Sequence, residues 1–186
     1  MLVLISPAKS LNYESDLRQE SFTLPHFSKE TEMLASYMKK LSSADLKKLM
    51  KISDKLSNLN FDRFQRFSPT FDFKNSKQAL LVFNGDVYGS IEKDTFTQDD
   101  YNFAQKSLRI LSGFYGILKP LDLMQPYRLE MGTRFKKTDV GIKDLYQFWG
   151  DKISHYLNEE GAEHIINLAS GEYFSAINTK VISAKI

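Results

Sequence analysis

The chain has 186 residues, 42% of them hydrophobic and 13% aromatic, with a formal net charge of +2 at pH 7, which suits one globular domain with its own core. It contains no cysteine, and this excludes disulfides, thiolate nucleophiles, Cys-ligated zinc and iron–sulfur clusters. No apolar run approaches the roughly 20 residues that span a bilayer, and the start of the chain lacks the basic lead and cleavage site of a signal peptide, so we expect a cytoplasmic protein without membrane contact.

The predicted elements begin with a buried strand over Met1–Ser6, an apolar run that Pro7 stops before a loop holding Lys9. A helix is predicted from Ser28, because apolar residues then recur at helical spacing and form one face. That face consists of Met33, Leu34, Tyr37, Met38 and Leu41.

Two short helices joined by a tight polar hairpin are predicted next. Ser42 and Asp45 fit the capping-box pattern at the start of the first helix, and Ser53 is placed to cap the second. The residues predicted to face inward are Leu46, Leu49 and Met50 on the first helix, and Leu56, Phe64 and Phe67 on the second.

The rest of the chain alternates predicted strands and helices. Ala79–Phe83 is short and uniformly apolar, which predicts a buried strand, and Thr97 with Asp100 forms a capping box ahead of a helix. The other predicted elements are strands over Leu108–Leu111, Tyr127–Thr133, Glu163–Ala169 and Val181–Ile186, and a helix over Asp144–Asn158. We therefore predict one domain over residues 1–186, of α/β or α+β class, with a mixed sheet flanked by helices.

The segment Lys39–Arg66 carries a concentration of positive charge. It holds eight basic and three acidic residues, a net charge of +5 in a chain whose total is +2. Clustered cations favour a polyanionic ligand, and a helix–hairpin–helix unit can offer backbone N–H groups and lysines to neighbouring phosphates. The alternative is an ordinary αα-hairpin that packs into the core, because the hairpin holds no glycine and Asp54 would repel a phosphate there.

A second group of polar residues lies where the predicted strands end, and in an open α/β sheet this is where ligands bind. Its members are Ser6, Lys9, Asn84, Asp86, Ser112, Arg128, Glu130, Asn167, Ser170 and Glu172. The alternative is ordinary loop polarity. The glycines lack the spacing of phosphate-loop or dinucleotide motifs, so we predict no nucleotide cofactor, and the three histidines share no metal-ligand spacing.

Several blocks of sequence, in order along the chain, resemble one known family. They are LISPAKSLNY (Leu4 to Tyr13), KISDKL (Lys51 to Leu56), FNGDVY (Phe83 to Tyr88), LSGFYGILKPLDLMQPYRLEMG (Leu111 to Gly132), DLYQFWGDKI (Asp144 to Ile153) and INLASGEYF (Ile166 to Phe174). Together they resemble the bacterial YaaA family of peroxide-stress-resistance proteins over essentially the whole chain.

The resemblance implies a cytosolic protein, induced by hydrogen peroxide, that limits free intracellular iron. It also implies an α/β fold with a positively charged cleft and a helix–hairpin–helix-like element that binds double-stranded or structured DNA with little sequence preference. The predicted DNA-binding residues are Lys47, Lys48, Lys51, Ser53, Lys55, Arg63 and Arg66, and the candidate cleft residues are Lys9, Asp86, Arg128 and Glu130. Family members are expected to continue past Val181–Ile186 into further strands and a basic stretch.

Two other hypotheses stay open beside DNA binding. One is an enzyme acting on a small anionic substrate, with Lys9 and Arg128 as anion clamps and Asp86 or Glu130 as acid–base groups. The other is iron sequestration by the carboxylates of Asp86, Glu130 and Glu172, since hard oxygen ligands suit ferric iron. No catalytic residue or metal ligand is assigned from the sequence.

Overall fold

A computed structural model describes residues 1–16, 19–135 and 141–186. The strands are β1 (Leu2–Ile5), β2 (Ser10–Leu11), β3 (Lys77–Gln78), β4 (Phe83–Asn84), β5 (Leu108–Ser112), β6 (Gly116–Leu118), β7 (Leu123–Met124) and β8 (Ile165–Asn167). The helices are α1 (Ser28–Met38), α2 (Ser43–Met50), α3 (Asp54–Arg66), α4 (Ala79–Val82), α5 (Asp86–Gly89), α6 (Gln98–Ser107), α7 (Leu145–Trp149), α8 (Lys152–Glu159) and α9 (Gly171–Phe174).

The main sheet has four strands in the order β6-β5-β1-β8, and it confirms the predicted α/β class and mixed sheet. β1 runs parallel to β5 on one side and to β8 on the other, with Val3 opposite Leu108 and Ile166. β6 returns antiparallel beside β5. The carboxyl ends of the three parallel strands therefore meet at one edge of the sheet, which is where an open α/β sheet binds ligands.

The central strands β1 and β5 are rich in apolar residues, as required of strands whose two faces are both buried. Leu4, Ile110 and Leu111 are fully buried, as expected for parallel strands between helices. Trp149 is also fully buried and donates its indole N–H to the carbonyl oxygen of Gly113 over 3.1 Å, which anchors α7 to the end of β5.

The two predicted helices of the basic segment are confirmed as α2 and α3. The Ser42 Oγ accepts the Asp45 N–H over 3.2 Å and the Asp45 carboxylate accepts the Ser42 N–H over 3.1 Å, which is the expected capping box. At the second helix the Ser53 Oγ accepts the Leu56 N–H over 3.3 Å. Leu46 and Phe64 are buried as predicted, whereas Leu56 is 36% exposed, so its inward placement was wrong.

The connection from α2 to α3 begins with an unusual backbone conformation. Lys51 ends α2 with φ of 52° and ψ of 50°, in the left-handed region that glycine prefers. It is the one non-glycine residue with positive φ among those that the structure describes.

Two predicted strands are replaced by other structure. Ala79–Phe83 is buried as expected, but Ala79–Val82 forms the helical turn α4, since a short apolar run does not distinguish a strand from a buried helical turn. Tyr127–Thr133 forms no strand, because its backbone packs against Gly113 rather than pairing with a neighbour. A Cβ added to Gly113 would lie 2.3 Å from the Leu129 carbonyl oxygen.

The predictions near the end of the chain also need correction. The helix predicted over Asp144–Asn158 is divided into α7 and α8 at Gly150, which has φ of 48°. The strand predicted over Glu163–Ala169 is confirmed in its central part as β8. Val181–Ile186 forms only an isolated parallel bridge between His164 and Lys185. Over the described ranges, none of the helices has the length and apolarity required to cross a bilayer.

Candidate functional site

One cleft, the main cleft, has a volume of about 870 Å³ and lies between α2 and the loop that follows Tyr127. The α2 side contributes Lys48 and Lys51 to its lining, and the loop side contributes Arg128 and Arg134. The other lining residues are Tyr37, Leu41, Asp45, Leu49, Met50, Glu130, Gly132, Thr133, Phe135 and Glu172. The structure thus brings α2 and three of the predicted strand-end residues, Arg128, Glu130 and Glu172, to the same concave surface.

We call the ion-paired group of Lys9, Arg128 and Glu130 the cleft floor: Arg128 and Glu130 line the main cleft, and Lys9, which follows β1, joins them from outside the lining through its ion pair with Glu130. An Arg128 Nη donates to one Glu130 carboxylate oxygen over 2.7 Å, and the Lys9 Nζ lies 3.5 Å from the other. The Arg128 side chain is only 18% exposed, whereas that of Lys9 is 68% exposed. Two cations therefore share one carboxylate at the end of the central strand.

Arg63 of α3 lies close enough to this floor to interact electrostatically with Arg128. Burial lowers the pKa of Arg63, the nearby Tyr13 opposes this shift, and the Arg128 charge adds to it. The Arg63 Nη lies 3.4 Å from the Asn60 amide oxygen. The same burial raises the pKa of Tyr13 well above its ordinary value. Arg63 is therefore a half-buried cation beside another cation, not a freely exposed surface arginine.

The other two carboxylates of the main cleft are already engaged within the protein. Asp45 belongs to the capping box of α2, where the hydrogen bonds from Ser42 lower the pKa of its carboxyl group. A Glu172 carboxylate oxygen accepts the Gly132 N–H over 2.8 Å. By contrast, Lys48, Lys51 and Arg134 form no ion pair within the described residues.

A second cleft, the hairpin cleft, has a volume of about 730 Å³ and lies against the connection between α2 and α3. It shares Lys48 and Lys51 with the main cleft, so these two lysines form the ridge between them. Its other lining residues are Ser43, Ala44, Lys47, Ile52, Asp54 and Asn58. The Lys47 Nζ lies 2.8 Å from the Asp54 carboxylate, which offsets the charge expected to repel a phosphate at the hairpin.

The remaining candidate residues lie outside the clefts or serve the fold. Lys55 and Arg66 are exposed on α3 and line neither cleft. Ser53 uses its hydroxyl oxygen to cap α3. Asp86 begins α5 and, like Lys9, is not among the lining residues of either cleft; the structure shows no contact between Asp86 and Glu130 among the described residues.

Sequence reasoning missed several residues of the main cleft, above all Arg134, Tyr37 and Phe135. The rings of Tyr37 and Phe135 meet edge to face with centroids 5.3 Å apart. The sequence pattern places Tyr37 only on the apolar face of α1. Arg134 lies four positions after Glu130, and a second basic residue so near Arg128 was a signal available in the sequence.

The described parts of the chain contain no group of three or more histidine, aspartate or glutamate side chains placed to hold a metal ion. The three carboxylates considered for iron therefore form no such group; Glu130 pairs with cations, and Glu172 accepts a backbone N–H.

A mixed α/β sheet with a cation-lined cleft at the ends of its parallel strands defines the class of this protein: an α/β protein with an anion-attracting cleft. The family model described as peroxide stress protein YaaA matches residues 1–186, and the chain belongs to that family. It is similar to UPF0246 protein Reut_A1014 of Cupriavidus pinatubonensis (strain JMP 134 / LMG 1197), with 49% identity over 193 residues, all of this chain and 73% of the relative. Membership supports a role in peroxide stress resistance.

Proposed function

We propose that this protein binds DNA through its phosphate backbone as its contribution to peroxide stress resistance. The observation that carries the proposal is the ridge of Lys48 and Lys51, which lines both clefts and shares the main one with Arg128 and Arg134. A negatively charged strand that crosses this ridge meets cations on both sides.

The chemistry of the ridge favours backbone contacts over base reading. A lysine ammonium is a flexible point charge that suits a phosphate oxygen, whereas base recognition requires a fixed pattern of donors and acceptors. Both ridge lysines are exposed, and their ammonium groups are not committed to carboxylates of the described chain. We therefore expect binding to double-stranded or structured DNA with little dependence on sequence.

Fluorescence anisotropy with a labelled duplex at several salt concentrations tests this proposal. Affinity should fall steeply with salt, and the slope of log K against log[salt] should shrink by about one for each phosphate-contacting lysine removed. Lys48→Gln and Lys51→Gln are the test variants. Lys106→Gln is the matched control, because Lys106 is an exposed lysine on α6 that lines neither cleft. Equal slopes in all four proteins would refute the proposal.

The proposal includes a link between DNA binding and the control of free intracellular iron, which the family resemblance implies. Iron that lies near DNA converts peroxide into damaging radicals, so the two protections act on the same lesion. Cells that carry Lys48→Gln/Lys51→Gln as their sole copy should lose viability in peroxide and show more chelatable iron. If those cells were sensitive to peroxide but had a normal level of chelatable iron, the link to iron would be refuted and the role of DNA binding in peroxide resistance would be supported.

A second candidate function is an enzyme acting on a small anionic substrate. The contacts among Lys9, Arg128 and Glu130 favour it, because they place two anion-binding side chains and one carboxylate together at the ends of the strands. Turnover of a small anion that is lost in Glu130→Gln, with DNA affinity unchanged, would favour this candidate over DNA binding.

A further inference from the structure

The cleft floor carries more positive charge than its single carboxylate can neutralise. Glu130 contacts both Arg128 and Lys9, and Arg63 lies near enough to Arg128 to interact with it. These three cations share the Glu130 carboxylate, and the other carboxylate near them in the cleft, Glu172, is bound to the Gly132 N–H, so positive charge is in excess in a partly buried place. Like charges held together with reduced solvation are unfavourable unless an anion joins them.

Arg128 also has hydrogen-bonding capacity that the protein does not use. A guanidinium offers five N–H donors in a planar fork. Within the described chain, one hydrogen bond of Arg128 is made, to Glu130, and its Nε is buried without a hydrogen-bond partner. A buried N–H donor without an acceptor destabilises the folded protein, so an oxyanion bound to the guanidinium would supply the missing hydrogen-bond acceptor.

The charge and the depth of the floor together select the kind of anion. A phosphate monoester carries a charge of about −1.5 to −2 at pH 7, so it stabilises clustered cations more than an internal phosphodiester, which carries −1. Because the Arg128 side chain is only 18% exposed, a phosphate with a nucleotide on each side is too encumbered to reach it. A terminal phosphate has one substituent and three free oxygens.

We propose that the floor of the main cleft is a subsite for a phosphate monoester, held by the Arg128 guanidinium and the Lys9 ammonium, and that on DNA this group is the terminal phosphate of a broken strand. The identification of this phosphate as a DNA end rests on the proposed function, which is DNA binding. A free phosphorylated metabolite offers the same chemistry and is the alternative source. When no phosphate is bound, the Glu130 carboxylate pairs with Arg128 and Lys9, so it competes with phosphate for these two cations.

The decisive measurement uses a DNA hairpin labelled in its loop, with a phosphate at its 5′ end, at its 3′ end, or at neither end. At equal ionic strength, at least one phosphorylated hairpin should bind about tenfold more tightly than the unphosphorylated one, as expected for a charge-assisted bidentate contact. Inorganic phosphate, with sulfate as the matched salt, should reduce this preference.

Three variants separate the subsite from general electrostatics. Arg128→Lys keeps the charge but removes the fork, and should abolish the preference for a terminal phosphate. Glu130→Gln removes the competing carboxylate and should increase the preference, an outcome that a purely structural ion pair would not give. Lys9→Gln changes an exposed side chain, so it still tests the subsite if Arg128→Lys fails to fold. It should reduce the preference for a terminal phosphate, whereas the control Lys106→Gln should not.

The outcomes distinguish the inference from the proposed function. Equal binding of all three hairpins overturns the subsite while leaving backbone binding intact. Failure to bind any DNA, combined with stabilisation by inorganic phosphate that Arg128→Lys abolishes, overturns the proposed function and the DNA source but supports the phosphate site, with a metabolite as the source. Failure with DNA and with phosphate overturns both.

Discussion

Lys51 offers a substitution for which stability and DNA binding should change in opposite directions. Its backbone is left-handed, with φ of 52°, and this conformation costs a residue with a Cβ about 1–2 kcal/mol. Glycine avoids that cost but loses about 0.5–1 kcal/mol through its greater freedom in the unfolded chain. Lys51→Gly should therefore raise the free energy of unfolding by about 0.5–1 kcal/mol.

The same substitution removes a ridge cation, so DNA affinity should fall and the salt slope should decrease by about one. Lys51→Gln is the matched variant, because it removes the charge but keeps a Cβ in the left-handed conformation. Urea unfolding should show Lys51→Gly more stable than wild type and Lys51→Gln close to wild type, while anisotropy shows both weakened in binding. A destabilised Lys51→Gly would refute the backbone reasoning, and unchanged DNA binding would refute the role of the ridge.

Three further predictions concern the fold and its caps. Burial raises the pKa of Asp122 to about 6, although the hydrogen bonds from Thr23 and Lys119 oppose this shift. Because the folded-state pKa lies above the unfolded value, the contribution of Asp122 to the free energy of unfolding is complete below about pH 4 and falls by about 3 kcal/mol as the pH rises through 6. Urea unfolding at several pH values should show a smaller loss of stability over this window for Asp122→Asn than for wild type. Gly116→Ala should lower the melting temperature much more than Gly161→Ala, since both glycines have positive φ but a Cβ at Gly116 would lie 2.7 Å from the Trp149 ring and one at Gly161 meets open space. Ser42→Ala should reduce the free energy of unfolding by about 1 kcal/mol through loss of the capping box, measured by urea unfolding, and a neutral result would contradict that role.

Local signals in the sequence predicted the local structure well. The helices α2 and α3 begin where Ser42 and Ser53 indicate, because a cap acts within a few residues of its own position. The strand β5 follows from a short apolar run in the same way. The strand predicted over Tyr127–Thr133 failed because long-range packing against Gly113, which the local pattern does not contain, decides its conformation.

The candidate site was predictable only in parts for the same reason. Lys48 and Lys51 follow from the charge of one segment, and Arg128 with Glu130 from the ends of strands. That these four residues share a cleft depends on the packing of α2 beside the loop after Tyr127, which are far apart in the chain. Arg134 and Tyr37 complete the cleft through that packing; of the two, Arg134 had a signal in the sequence, as a second basic residue close to Arg128.

The net charge of the basic segment overstates what is available to DNA, because the structure commits some of its cations elsewhere. Lys47 pairs with Asp54, and the Lys39 ammonium donates to the Phe67 carbonyl oxygen over 2.9 Å. The cations of the main cleft that form no ion pair within the described residues are Lys48, Lys51 and Arg134. Three phosphate contacts predict a salt slope of about −3, whereas use of all eight basic residues of the segment would give about −7. A measured slope near −7 would mean that DNA binds over a surface much wider than the two clefts.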